Sequence, residues 1–314
     1  MGQEGQARQA GVRQPGVHGG RQRLPERAAR LHLRRRRGEP EAGQGPQGTE
    51  IRSGGSPFEY SLYFNTKSAV LSDKAVRKAI QQSVDRAQIA KIQFQGLGYK
   101  EPLPGSAVLY SFQKGGYEDN LSAVLKYDPA EAKKTLDAAG WKAGSDGVRA
   151  KDGKKLDVGG YTLLGDDPLG KATAGAFAAM LKPAGIHLVI KKGDDADFAK
   201  TISERRFDLF LSGNRSMDPF GARYLCDFYC SDRDSNITGS GSPALDKEIR
   251  ATTEIADLDE QTAAVNKVER KALQEYAFLP LFSGPSTYGV KKGLANVGAT
   301  IFYTPLPETV GWQK

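Results

Sequence analysis

Between residues 56 and 292 the spacing of apolar residues switches repeatedly between the helical period of 3.6 and the strand period of two. That alternation limits the fold more than any single motif. "FEYSLYFNT" (58–66) alternates as a strand does. "SDKAVRKAIQQSVDRAQIAKIQF" (72–94) carries Ala75, Val76, Ala79, Ile80, Val84 and Ile89 on or beside one helical stripe, with Ser72 as N-cap. "DPAEAKKTLDAAGW" (128–141) is marked at both ends: Asp128 caps, Pro129 takes the first turn, Glu131 completes a capping box and Gly140 ends the helix.

Further along, two strands flank "KDGK" within 147–164, a helix covers 168–185 and a strand covers 186–192. A short Asp-capped helix over 195–205 leads into a strand over 207–213. Consecutive helices over 242–257 and 258–276 precede returning strands over 277–292. Residues 96–120, rich in Gly, Pro and Tyr, read as one long irregular loop. Strands alternating with helices predict an α/β lobe with a mixed sheet flanked by helices.

Residues 1–55 differ in kind. They hold eleven Arg, five Glu and no Lys, and so supply six of the chain's net charge of +8. With few large apolar residues they cannot offset their ordering entropy, and they read as a disordered basic tail. Arg without Lys, beside a body that uses both freely, suggests a segment of separate origin, such as a misassigned start. The remainder is nearly neutral, which argues against a nucleic-acid-binding body. No stretch reaches eighteen consecutive apolar residues, and the first thirty lack the apolar core of a secretory signal.

The two cysteines, Cys226 and Cys230, stand four apart in "CDFYC". A zinc site takes about four ligands, and the histidines are His18, His32 and His187, two of them in the tail. Metal binding is therefore not expected. A local disulfide and a pair of buried or free thiols both fit the spacing.

"FDLFLSGNRSMDPFG" (207–221) delivers Asp218 to the end of an apolar strand, fixed by Pro219. Three roles suit a carboxylate there: catalytic acid, ligand clamp, or a turn residue bonding its own backbone. A hydrolase would need a second carboxylate across a cleft. Asp166 and Asp167 are candidates, but "GDDP" reads as a turn before the next helix. The nucleophile, zincin and phosphate-loop motifs are absent.

Five segments occur in the order of one family: "DKAVRKAIQQSVDRAQI" (73–89), "YDPAEAKKTLDAAGW" (127–141), "FDLFLSGNRSMDPFG", "NITGSGSPALDKEI" (236–249) and "AFLPLF" (277–282). From about residue 56 onward the chain resembles the second lobe of the extracytoplasmic solute-binding proteins of dipeptide and oligopeptide ABC transporters. The resemblance implies a type II periplasmic-binding-protein-like lobe over 56–276, with residues 277–314 returning toward a first lobe. It also implies no enzyme activity and no cofactor. The family's members are extracytoplasmic; a monomer that traps a short peptide between lobes and passes it to membrane permease subunits is the expectation here. Asp218 matches the position that grips the peptide's α-ammonium, with Asn214, Arg215, Ser216 and Met217 beside it. Tyr110 and Phe112 fall in the loop that faces the cleft. Oligopeptide binders often carry Trp where Arg215 stands, so the solute extends to dipeptides, longer peptides or other small amine-bearing molecules. With most of the first lobe missing from the sequence, weak binding by this chain alone is expected.

Overall fold

The computed structural model describes residues 48–314 except 57, 96–99, 114, 163–166, 193–196, 303–304 and 314. The tail reading for 1–47 and the candidate Asp166 lie outside the described residues. Residues 49–54, expected as the end of that tail, form strand β1 (Thr49–Gly54). Its partner is far away in sequence, so composition alone gives no sign of it.

Strand β2 (Phe58–Phe64) comes next, then helices α1 (Lys74–Ser83) and α2 (Arg86–Gln93). One continuous helix was expected here, capped by Ser72. Asp73 is the cap instead, accepting from the Ala75 N–H at 2.9 Å. Val84 is extended, and Asp85 restarts the helix by accepting from the Gln88 N–H at 3.0 Å. A short carboxylate in mid-pattern competes with the helical ladder and favours a new N-terminus.

Helix α3 (Pro129–Ala138) has the expected start, with Asp128 accepting from the Glu131 N–H. A small meander, β3 (Lys142–Ala143), β4 (Arg149–Lys151) and β5 (Lys154–Lys155), leads into β6 (Asp157–Thr162). Helix α4 (Pro168–Leu181) and strand β7 (His187–Lys192) complete a parallel βαβ unit with β6. Helix α5 is only Phe198–Ser203, and its N-cap Asp197 makes no side-chain capping bond. Strand β8 (Leu209–Arg215) precedes helix α6 (Ala222–Tyr229), which was not among the helices expected. Helices α7 (Pro243–Thr252) and α8 (Leu258–Leu273) lead to β9 (Phe278–Ser283) and β10 (Ser286–Lys291), then β11 (Leu294–Ala295) and β12 (Gly311–Trp312).

The main sheet has the order β7-β6-β8-β2-β9. Pairings β7–β6 and β6–β8 are parallel, while β8–β2 and β2–β9 are antiparallel. The sheet is mixed, as expected. Pro280 lies in β9, at the sheet's edge, where a missing N–H leaves no gap in the ladder.

Period-two alternation sends side chains to two separate cores. Leu62, Phe64, Leu209 and Leu211 pack with Ile80, Leu136 and Phe177 from α1, α3 and α4. Tyr63 and Phe210 pack on the opposite face with Leu225, Ile249 and Val265 from α6, α7 and α8. The second core also takes Ala107, Val108 and Leu109 from the long loop. Away from the sheet, β1 pairs antiparallel with β10 in a separate ribbon. Among the described residues no helix is long and apolar enough to cross a membrane.

Candidate functional site

Among the described residues, the pairing of β8 with β6 reaches Leu211, and its pairing with β2 continues to Arg215 opposite Phe58. Arg215, the last residue of β8, lies opposite the first residue of β2 and so at that end of the sheet. At Gly213 an added Cβ would lie 2.0 Å from the Phe58 ring, so only glycine lets that ring close over the strand.

The backbone leaving β8 is held tightly. Ser216 is fully buried, and its backbone meets a single phenol twice. Its N–H donates to Tyr110 Oη at 2.6 Å, and Tyr110 Oη donates to its carbonyl at 3.1 Å. Burial pushes the Tyr110 phenol well above its ordinary range, so it remains a hydroxyl able to do both. Phe112 stacks on Tyr110, with ring centroids 5.2 Å apart. Gln113 Nε2 donates to the Pro219 carbonyl at 2.7 Å. Residues of the long loop thus grip the exit of β8 at two points.

Asp218 is half-buried, and its carboxylate is engaged by its own backbone. Oδ1 accepts from the Phe220 N–H at 3.0 Å, and Oδ2 from the Arg223 N–H at 2.9 Å. Gly221, the N-cap position of α6, has φ 75° and offers no side-chain cap. Asp218 supplies the missing acceptor from three residues upstream. A cavity of about 420 Å³ opens beside it, lined by Met217, Asp218, Arg223, Tyr224, Thr253 and Gln261. Arg215 and Met217 are exposed at the rim. The Arg215 guanidinium makes no hydrogen bond or ion pair with the described residues.

Asn214 turns the other way and is buried. Its Oδ1 accepts from Ser61 Oγ at 3.0 Å, while Ser61 Oγ also lies 3.2 Å from Glu59 Oε1. One hydroxyl proton cannot serve both oxygens. Glu59 Oε2 and Asn214 Nδ2 have no hydrogen-bond partner among the described residues. Burial holds the Glu59 carboxyl well above the usual carboxylate range; the Ser61 hydrogen bond opposes this, the Glu269 charge adds to it and the Arg86 charge works against it. Glu59 was not among the expected site residues, although a Glu on the inward face shared by Ser61 and Tyr63 is a visible break in an apolar pattern.

Of the five expected residues, Met217 and Asp218 line the cavity and Arg215 is exposed, whereas Asn214 and Ser216 are buried and engaged by Ser61 and Tyr110. Asp167 caps α4 by accepting from the Gly170 N–H at 2.9 Å, in keeping with a turn role. His187 is exposed, its Nδ1 2.7 Å from Asp157 Oδ1. Cys226 and Cys230 are joined in a disulfide, S–S 2.09 Å, within the last turn of α6. Asp232 lies close to both sulfurs, but these are bonded to each other and are not free as thiolate ligands.

A five-stranded mixed sheet with helices on both faces, and a rim segment at the end of a strand, defines a type II periplasmic-binding-protein-like lobe. Residues 37–236 match the family model described as bacterial extracellular solute-binding proteins, family 5, middle region. The chain belongs to that family of extracellular solute-binding proteins. It is 33% identical over 256 residues to the oligopeptide-binding protein OppA of Mycobacterium tuberculosis (strain ATCC 25618 / H37Rv), covering 81% of this chain and 42% of that one. Among solved structures, the periplasmic EDTA-binding protein EppA superposes with a TM-score of 0.70 at 22% identity, over 88% of this chain and 49% of that one. AppA from Bacillus subtilis, in complex with a nonapeptide, gives 0.69 at 21% identity, over 81% and 50%. The chain spans about half the length of the proteins it matches.

Proposed function

We propose that this chain forms one face of the solute cleft in the extracytoplasmic binding component of an ABC importer, with short peptides or related small amine-bearing solutes as ligands. Membrane permease subunits receive the solute, and the binding protein acts as a monomer. The observation that carries this reading is the β8 exit. Ser216 is fixed by Tyr110 and Pro219 by Gln113, while Arg215 and Met217 stay exposed and Met217 and Asp218 line an open cavity of about 420 Å³. A rigid segment holding exposed recognition groups at a sheet rim suits ligand capture, because little ordering is left to be done on binding.

The charges offered suit a zwitterion. Arg215 offers a guanidinium fork to a carboxylate. A carboxylate has about four lone-pair sites, so Asp218 can accept from an ammonium as well as from its two backbone partners. The antiparallel ribbon of β1 and β10 adjoins β2 and β9 in the chain, as two strands crossing out of a lobe in opposite directions would. The Cys226–Cys230 bond suits an oxidising, extracytoplasmic setting.

NMR titration with tri-alanine tests the proposal, since it registers weak as well as tight binding. Millimolar tri-alanine is expected to shift the amides of 214–223. Amidated tri-alanine loses the Arg215 contribution, and acetylated tri-alanine loses that of Asp218. Shifts confined to other parts of the chain, or none, would reject the reading.

A further inference from the structure

The long loop has an anchor below as well as a grip above. Between Pro104 and Gln113 the chain crosses from the α8 side of the second core to the β8 exit. Its lower end is tied to α8 by Glu269, while Asn266 and Arg270, on the same helical face at i, i+3 and i+4, hold the residues that follow the strap. Asn266 Nδ2 donates to the Gly116 carbonyl at 2.6 Å, and Arg270 Nη1 donates to Asn120 Oδ1 at 2.8 Å. Glu269 is entirely buried between them. Its Oε1 accepts from the Ala107 N–H at 2.7 Å and from Tyr229 Oη at 3.3 Å, and its Oε2 from Asn120 Nδ2 at 2.7 Å. Next to it, the Ser106 Oγ accepts from the Val108 and Leu109 N–H groups at 3.2 and 3.0 Å, turning the strap at its base.

Three donors converge on the two oxygens of one side chain, and a carboxyl group offers them up to about four acceptor sites. Glutamine has the same shape but would set an NH₂ against a donor. The upper end of the loop carries Tyr110, three residues beyond Ala107, and Tyr110 is the phenol that closes on both polar groups of the Ser216 backbone. The chain of contacts is short: Glu269, Ala107, Tyr110, Ser216, and then the rim residues Arg215, Met217 and Asp218.

We propose that Glu269 is a positioning residue for solute capture, holding the 104–113 strap so that Tyr110 fixes the β8 exit in its binding geometry. This rests on the solute-binding reading above. Glu269 touches no solute itself; it acts through Tyr110.

The test compares Glu269→Gln, Tyr110→Phe, their double variant and Asp246→Asn in the full chain. Asp246 is a buried carboxylate that serves Ser231, at 2.9 Å from its N–H and 2.6 Å from its Oγ, and has no tie to the strap. Amide hydrogen exchange at Ser216 is expected to quicken at least about tenfold in both strap variants and not in Asp246→Asn. The tri-alanine shifts at 214–223 should weaken to a similar degree in Glu269→Gln and Tyr110→Phe. The double variant should be little worse than either, because both cut one link. Unchanged Ser216 exchange in folded Glu269→Gln overturns the proposal, as does strictly additive loss in the double variant. If Glu269→Gln does not fold, Tyr110→Phe and Gln113→Ala take its place, and unchanged Ser216 exchange in both overturns it equally. Faster exchange with no tri-alanine shifts even in the unaltered chain would instead reject the solute-binding reading, and the positioning role with it.

Discussion

Replacing Asp218 by alanine removes the acceptor for two backbone N–H groups, those of Phe220 and Arg223. Helix α6 has eight residues and no other side-chain cap, since its N-cap position is Gly221. Losing a capping side chain costs about 0.5–2 kcal/mol, and losing a negative charge near a helix N-terminus about 0.3–1 kcal/mol. Arg223 is exposed, so water replaces part of what its N–H loses. The expected destabilisation is therefore about 1–2 kcal/mol. Asp218→Asn keeps one acceptor and should cost about half as much.

Urea unfolding at neutral pH measures both variants. The midpoint should fall while the slope stays constant, because the surface exposed on unfolding does not change. A carboxylate that served only as a solute clamp would have no such effect; removing an exposed group without structural partners usually shifts stability by less than about 0.5 kcal/mol. A cost below that figure for Asp218→Ala would refute the capping assignment and return Asp218 to a purely ligand-facing role. A cost within the expected range, together with retained tri-alanine shifts in Asp218→Asn, would show that the cap is its main task.

The buried polar groups and the strap give two further expected outcomes. Glu59 is pushed above its ordinary value of 4.5 by burial, so the unfolded chain loses this proton first and stability falls as pH rises from the unfolded pKa to the folded one. Glu59→Gln should remove that fall and raise stability at neutral pH, and urea midpoints that track the parent at every pH would contradict this. Gly105→Ala would place a Cβ 2.6 Å from the Asp119 Cα, where only backbone movement relieves the clash. It should cost about 1–3 kcal/mol and quicken hydrogen exchange across the strap; a neutral substitution would show that the strap base is loose.

The features legible in the sequence are those decided by near neighbours. Helix α3 is marked by Asp128, Pro129 and Glu131 because capping operates within one turn. The break at Val84 is legible too, in Asp85, but the apolar stripe from Ala79 to Ile89 runs across it and masks the signal. Helix α6 shows Ala222, Leu225 and Tyr229 on one face, a pattern from which the two cysteines draw attention. Strand β1 is different: its partner β10 lies at the far end of the lobe, and six residues of mixed polarity do not announce a ribbon by themselves.

The rim divides along the same line. Sequence placed Asn214, Arg215, Ser216, Met217 and Asp218 at a strand end, since that comes from local pattern. What each can offer a solute depends on which of its atoms are already engaged. Asp218 is committed by residues two and five positions on, a local fact readable in principle from an acid placed ahead of a glycine-capped helix. Ser216 is committed by Tyr110, 106 residues away, and Tyr110 by a strap that Glu269 holds from 162 residues beyond Ala107. Contacts at that separation exist only once both cores have formed. That the exposed charges here are the Arg215 and Arg223 guanidinium groups is therefore a product of the tertiary structure. A reading from motif alone assigns the rim an anionic grip; with Asp218 capping α6, the proposed solute site would instead lead with a cation.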